Sequence, residues 1–328
     1  MFHSNILLRK REFPVFDKIL FLYSIITVAL PLFPNFKPLE LNDREYIRDV
    51  IRDYDPIVSE MTCTNLFIWR DYYGFIWSIC DGTLFIVSRE GPNGTYALEP
   101  IGTSANEDSV MCLLRWLRDE LRETNPQIQR ADTRCISILK NVENILIEPM
   151  REHFDYVYRK SDLVELEGSK YRSKRNHINQ LLRNHVFQYD SLDDRYIQDC
   201  LSLQEKWCQL NRCDDDLDLL GENGAVTEVL THFRDLDVDG AVIVIQGKVK
   251  AFTVGERLNE NTQVIHIEKA DPEITGLYQL INHEYCKNMS EEIEFINREQ
   301  DLGIEGLRKA KLSYHPDRFI EKNCITLK

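Results

Sequence analysis

At 328 residues the chain has room for two domains, and its 43% hydrophobic and 29% charged content is that of an ordinary soluble globular protein. A net charge of −14 and a pI near 5.1 exclude binding nucleic acid or anionic membrane through the whole surface, so an anionic partner must meet a local basic patch. The nine cysteines contain no Cys-x-x-Cys pair, and Cys200, Cys208 and Cys213 have no histidine at ligand spacing. No metal site is expected, and the thiols are expected to be free in a reducing, cytoplasmic compartment.

Residues 19–33 are nearly all apolar and follow Arg9-Lys10-Arg11. The run is short for a membrane span of about 20 residues. It fits a signal-peptide core better, although Ala29-Leu30-Pro31 is a poor cleavage site. Residues 1–35 are therefore set apart as an apolar extension (anchor, signal or mis-assigned start), through which the protein would associate with a membrane.

A first domain is expected over 36–162. Asp43 is placed as the cap of a helix reaching Ile51. Phe75–Ile79 and Thr83–Val87 flank Cys80-Asp81-Gly82, and Asp-Gly between alternating apolar residues is a strong hairpin signal. Ser104-x-x-Glu107 reads as a capping box before a helix with Val110, Leu113, Leu114, Leu117 and Leu121 on one stripe. Ile136–Leu139 is predicted as a strand, Val142–Met150 as a helix, and Tyr156–Tyr158 as the start of a strand.

The second domain, 163–328, repeats this grammar. Helices are predicted over 172–184, 193–211 and 223–234, then a hairpin of Ala241–Ile245 and Val249–Val254 across Gln246-Gly247. A strand at Val264–Lys269, a helix at Leu277–Lys287, a strand at Ile293–Asn297 and a helix with Arg308 and Lys311 follow. Asp214-Asp215-Asp216-Leu217-Asp218 is acidic enough for a mobile loop, and lacks the glycine and distal glutamate of an EF-hand.

Two features point to a site. From Gly168 to Tyr189 there is no Asp or Glu, while Lys170, Arg172, Lys174, Arg175 and Arg183 are all basic. That stretch is either a solvated helix face or a dock for phosphate, on RNA or a lipid head group; Lys170, Arg172, Lys174 and Arg175 are its candidate contacts. The last sixty residues bring charge to the ends of apolar strands, where burial is costly unless paired. In 263–269, alternation puts His266 and Glu268 on one face and Lys269 on the other. On the 304–312 helix, Arg308 and Lys311 lean toward the apolar side, either snorkelling or meeting an anion.

Ile267-Glu268-Lys269-Ala270, Phe295-Ile296-Asn297-Arg298-Glu299 and Glu305-Gly306-Leu307-Arg308-Lys309-Ala310-Lys311-Leu312-Ser313-Tyr314 resemble an uncharacterised bacterial family. That family is related to the C-terminal domain of phosphatidylglycerol lysyltransferase. Leu307-Arg308-x-x-Lys311, with Pro316 after it, is similar to the end of the lysyltransferase domain. The resemblance implies an α+β chain of two tandem GNAT-like (acyl-CoA N-acyltransferase-like) domains, with mixed sheets flanked by helices. It implies an aminoacyl or acyl transferase, taking an aminoacyl group from charged tRNA to a lipid or another amine or hydroxyl. In that scheme Glu268 is the base, and Lys311 and Arg308 stabilise an oxyanion or donor phosphate. Asn297, Arg298, Glu299, Lys269 and Tyr314 bind substrate. Glu268 paired with Arg298 or Arg308 as a structural ion pair is the competing reading.

Enzymes of this fold that use coenzyme A cradle its pyrophosphate at the start of the helix after the central strand. Here that loop is Asp271-Pro272-Glu273-Ile274-Thr275-Gly276, with two acids, a proline lacking an N–H, and one glycine. No cofactor is therefore expected, and an acyl-CoA-dependent N-acyltransferase is the less favoured alternative. A GNAT-like binding module that has lost the chemistry is the other. The partners expected are charged tRNA or an anionic lipid at 168–189, with no DNA and no metal. If the chain is active, Glu268, Asn297, Arg298, Arg308 and Lys311 should converge on one cavity.

Overall fold

The computed structural model describes residues 30–89, 91–92 and 94–328. The expectation for the apolar extension lies outside these residues as far as 29. The first described residues already belong to the fold: the Pro31 carbonyl accepts from Ile79 N–H at 2.8 Å, and Phe33 packs edge-on against Phe85. The first half therefore starts a few residues before Phe36.

The elements of the first half run β1 (Lys37–Pro38), α1 (Arg44–Tyr54), α2 (Cys63–Ile68), α3 (Arg70–Tyr73), β2 (Ile76–Cys80) and β3 (Thr83–Ser88). Then come β4 (Tyr96–Leu98), α4 (Glu107–Asp119), β5 (Gln127–Ala131), α5 (Thr133–Ile138) and β6 (Ile145–Pro149). The rest are β7 (Asp155–Arg159), α6 (Lys160–Glu165), α7 (Arg172–Asn184), β8 (Phe187–Ser191), α8 (Asp194–Asn211) and α9 (Leu217–Thr231). The last are β9 (Asp239–Ile245), β10 (Lys248–Arg257), β11 (Thr262–Ala270), α10 (Leu277–Asn288), β12 (Phe295–Asn297), α11 (Glu305–Leu312), β13 (Arg318–Ile320) and β14 (Asn323–Leu327).

Several local expectations shift for identifiable reasons. Asp43 is the N-cap residue of α1 but makes no side-chain capping bond; its carboxylate takes the Trp77 indole N–H at 3.0 Å and the Glu40 N–H at 3.0 Å. The capping box of α4 is Asn106 with Ser109, not Ser104 with Glu107. Ile136–Leu139 is not a strand, because Asp132 accepts from the N–H groups of Arg134 and Cys135 and starts α5 there. Residues 145–149 of the expected 142–150 helix form β6 instead, drawn into a sheet by β14. Asp216 caps α9, so that helix starts six residues before the expected 223 and takes up part of the acidic run. Cys208 and Cys213 form a disulfide with Cα atoms 5.0 Å apart, against the expectation of free thiols throughout. Their spacing across the end of α8 matches no zinc or redox motif, so the sequence alone does not mark them as a pair.

The two seven-stranded sheets have matching orders: β1-β2-β3-β4-β5-β14-β6 and β8-β9-β10-β11-β12-β7-β13. Each is antiparallel until its fourth and fifth strands, β4 with β5 and β11 with β12, which run parallel around a helix, α4 or α10. Two-residue turns with positive φ close both hairpins: Asp81 and Gly82 at 48° and 78°, Gln246 and Gly247 at 53° and 71°. The sixth strand of each sheet comes from the other half. β7 leaves the first half to lie between β12 and β13, and β14 returns from the chain's end to lie between β5 and β6. A division at 162/163 would cut across this reciprocal exchange, because sheet membership already changes at β7.

One hydrophobic core is shared by the halves: Ile47, Leu66, Phe67, Trp77 and Leu84 of the first pack with Val226, Val229, Leu230, Phe252 and Val254 of the second. Beside it lies a buried ionic knot. Lys322, fully buried just before β14, donates to Glu60 and, at 2.6 Å, to Asp155. Asp155 also accepts from Ser59 N–H and Oγ, each at 2.8 Å, and from Asn297 Nδ2 at 3.0 Å. The crossing chain segments are thus fixed by paired charges that neither half supplies alone.

Candidate functional site

The site is organised by the loop after β12. Glu299, Leu302 and Gly303 all have positive φ there, so the loop depends on side chains to hold its shape. Asn297 Oδ1 accepts from Glu299 N–H at 2.8 Å, and Asp301 accepts from Gly303 N–H at 2.9 Å. The Lys311 ammonium, on the last turn of α11, donates to the carbonyls of Arg298 and Gln300. Burial lowers its pKa to about 8, the nearby Glu299 notwithstanding.

Around this loop the expected residues divide into separate groups. Arg308 is paired twice to Asp301, at 2.9 and 2.8 Å, and the same carboxylate takes the Tyr156 hydroxyl and Arg151. Burial raises the Asp301 carboxyl but these donors win, holding it well below the usual carboxylate range. Asn297 faces the buried knot through Asp155. Glu299 accepts from Asn65 Nδ2 of the first half at 3.2 Å and meets His266. Lys269 points to the other face of the sheet, where Glu222 is 2.9 Å away and the Trp207 ring 3.5 Å.

The group with the greatest excess of cation lies between α7, α10 and β12. Glu268 accepts from Arg298 at 2.9 Å and from Asn282 at 3.2 Å. Arg298 also sits 5.0 Å from the Tyr314 ring. Lys174 reaches in from α7, donating to Ser313 Oγ at 2.7 Å with its ammonium 3.9 Å from the same ring. Burial, and then Arg298, lower the Lys174 pKa to about 8. Two cations thus share one carboxylate. Of the four basic residues proposed for phosphate, Lys174 is the one turned inward. Lys170 and Arg172 are exposed, and Arg175 instead ties the carbonyls of Leu166 and Gly168.

The strand alternation places His266 beside Glu268 and assigns it no role. Its two ring nitrogens lie 2.8 Å from Glu299 and 2.8 Å from Glu256, and the ring is almost fully buried. Burial opposes its charge, yet the two carboxylates push its pKa up to about 10. Glu256 could not have been found from the sequence, because it reaches the histidine only through the pairing of β10 with β11. It also lines a cavity of about 380 Å³ between α1 and the β10–β11 end. None of Glu268, Asn297, Arg298, Arg308 and Lys311 lines that cavity, so the five expected residues surround one loop without sharing this space. Among the described residues no group of three or more His, Cys, Asp or Glu is placed to hold a metal, and no helix is long and apolar enough to cross a membrane.

The sequence pattern described as "Phosphatidylglycerol lysyltransferase, C-terminal" matches residues 51–326. A conserved protein of unknown function from Bacteroides thetaiotaomicron is 33% identical, with 89% of this chain and 99% of that one covered at a TM-score of 0.82. The C-terminal DUF2156 domain of a protein named as a lysylphosphatidylglycerol synthetase in Agrobacterium fabrum is 12% identical and shares the fold, covering 88% and 92% at 0.61. L-PGS from Bacillus licheniformis is 12% identical, covering 92% and 94% at 0.59. The chain belongs to the phosphatidylglycerol lysyltransferase C-terminal family, a transferase family, and has the two mixed sheets flanked by helices expected of it.

Proposed function

We propose that this family member is an aminoacyltransferase that takes its aminoacyl group from charged tRNA and passes it to an amine or hydroxyl acceptor, a lipid among the candidates. In the reaction the acceptor's nitrogen or oxygen attacks the ester carbonyl and the ester C–O bond breaks. The acceptor's proton passes to a base, and the terminal ribose hydroxyl leaves protonated. The observation that carries the reading is the Lys311 ammonium in the Leu307-Arg308-x-x-Lys311 helix, buried beside Glu299 with two backbone carbonyls as its ligands. A preorganised ammonium of this kind is suited to stabilising the ester oxyanion. Glu268, kept near Arg298, is the proposed base; Arg298, Lys174 and Tyr314 form the surface on which the donor would lie.

The choice of donor rests on the start of α10. Gly276, at φ 92°, is packed so closely that a Cβ there would lie 2.4 Å from the His177 carbonyl of α7. Asp271 is held by Lys250 at 2.9 Å and Lys206 at 3.1 Å. A carbonyl and a carboxylate thus occupy the position where a pyrophosphate would need donors, which disfavours acyl-CoA. Calorimetry with acetyl-coenzyme A is expected to show no micromolar binding.

The binding-module reading draws on one fact: Glu268 and Arg308 already have protein partners. Lys311→Met decides between them. Turnover of charged tRNA in the folded fraction should fall at least a hundredfold, alongside a moderate loss of melting temperature from two carbonyls left without a donor. A normal rate per folded molecule would end the catalytic assignment.

A further inference from the structure

The cavity between the halves has a chemical character of its own. Its apolar wall is Ile51, Pro56, Leu236 and Leu258, all buried, and its volume of about 380 Å³ is that of a small-molecule site. Four arginines stand around it, which at first suggests an anionic ligand. Each is already matched: Arg44 with Asp235 at 3.7 Å, Arg48 with Asp237 at 3.1 Å, Arg52 with Asp49 at 3.1 Å, and Arg257 with Glu292 at 2.9 Å. Three lining carboxylates have no arginine or lysine partner among the described residues: Asp55 and Glu260, both exposed, and Glu256, more than nine-tenths buried and paired only with His266.

Glu256 belongs to the chain Glu256–His266–Glu299. An ionised carboxylate only accepts, so two of them at 2.8 Å from one ring require both nitrogens to donate. The trio then carries one net negative charge. Placing the proton on a carboxyl instead leaves the same net charge. At the Glu299 end, Asn65 donates and Lys311 lies near. At the Glu256 end Oε1 takes the imidazole, and no described residue donates to Oε2. Oε2 is thus left free to accept at the cavity wall, and a cation in the cavity would pair with it and offset the net negative charge of the trio.

We infer that this cavity binds a ligand carrying a primary ammonium on a short apolar body, with Glu256 as its anchor. The ammonium meets Glu256 Oε2 and the body lies against the Ile51, Leu236 and Leu258 wall. Neither Glu268 nor Lys311 lines the cavity, so this site is separate from the residues proposed for transfer and its assignment does not rest on the aminoacyl-transfer reading. Amine binding without any transfer would leave the cavity assignment standing, and transfer without amine binding would overturn the cavity assignment alone.

The test uses the full chain and three six-carbon probes: hexylammonium, hexanoate and hexan-1-ol. Hexylammonium should bind saturably and shift the methyl resonances of Ile51, Leu236 and Leu258, with hexan-1-ol weaker and hexanoate weakest. Glu256→Gln should cost about tenfold or more in hexylammonium affinity, the loss expected for one charge-assisted hydrogen bond. The methyl shifts in the wild-type chain keep the test decisive even if that variant folds poorly. Hexanoate binding as tightly as hexylammonium, methyl shifts elsewhere, or unchanged affinity in folded Glu256→Gln would each overturn the proposal.

Discussion

The two halves share a strand order, and each has a glutamate near the C-terminal end of its fourth strand, Glu99 just past β4 and Glu268 within β11, but the surroundings differ. In the first half Glu99 is fully buried and closed in: it accepts from Asp132 N–H at 2.7 Å and from the Tyr54 hydroxyl at 3.0 Å. Burial, and then Asp132, raise its pKa to about 8. In the second half Glu268 faces Arg298 and Asn282, with Lys174 also near. One framework thus holds a carboxyl kept near-neutral by burial and another kept beside cations. The fold alone does not make a site; the residues brought by α7 and by the loop after β12 do.

The largest expected effect breaks what the halves have in common. Lys322→Met removes the cation between Glu60 and Asp155 and leaves two buried carboxylates facing each other. A loss of about 3–5 kcal/mol is expected in denaturant unfolding, of the size measured when one partner of a buried pair is removed. Because β7 and β14 are exchanged, the chain should still unfold in one transition. Two separated transitions would mean that the halves are independent and that the exchange does not couple them.

The two glutamates should respond oppositely to the same change. Glu268→Gln weakens the pair with Arg298 and is expected to cost about 1.5–3 kcal/mol at pH 7, along with transfer activity. Glu99→Gln puts a neutral group where burial already favours one, while the amide oxygen can still accept from Asp132. The raised pKa of Glu99 means that the folded state holds a proton which the unfolded state releases. Stability from this group is full below about pH 4.3 and is lost as pH rises through about 8. Glu99→Gln should therefore raise the melting temperature at pH 8 and flatten its pH dependence between 4.3 and 8. A lower melting temperature at pH 8 would show that Glu99 is held ionised and that the contrast between the halves is wrong.

His266 and Lys311 give opposite slopes in the alkaline range. With its pKa pushed up to about 10, His266 contributes stability that is full below about pH 6.5 and lost as pH rises through 10. Lys311, lowered to about 8, is released from an unfavourable charge as pH rises through 8, so its contribution climbs until about 10.4. Between pH 8 and 10 the two partly cancel. His266→Gln should remove the falling component, so that the melting temperature of the variant rises relative to the wild type across that interval. Parallel curves for the two proteins would place the His266 proton elsewhere.

Much of the second half was legible in the sequence because its signals were local: the Gln246-Gly247 hairpin, the apolar strand carrying His266 and Glu268, and the helix carrying Arg308 and Lys311. The first half misled wherever a distant strand decided the outcome. Residues 145–149 become β6 because β14 arrives from the other end of the chain, and no local pattern announces that. The site was legible as a list of residues but not as a grouping. Asp301, Lys322 and Glu256 determine which charges are satisfied, and they reach their partners across loops and strand pairs. Lys174 looked like one more cation on a basic face, and only its contact with Tyr314 and Ser313 turns it inward.

The smallest effect lies in the two hairpin turns. Asp81 and Gln246 occupy equivalent places, each with positive φ and each followed by a glycine. Asp tolerates the left-handed region because its short side chain can hydrogen-bond locally, whereas Gln has no such help. The first half therefore uses the better residue, and the second retains a small strain at the turn feeding β10, the strand that carries Glu256. Gln246→Asn should stabilise the chain by a few tenths of a kcal/mol, measured as a shift of the denaturant midpoint without a change in slope. The reverse change in the first half, Asp81→Gln, should cost a similar amount. If Gln246→Asn destabilises, the Gln246 side chain is contributing an interaction that offsets its backbone conformation, and the two turns are alike in geometry alone.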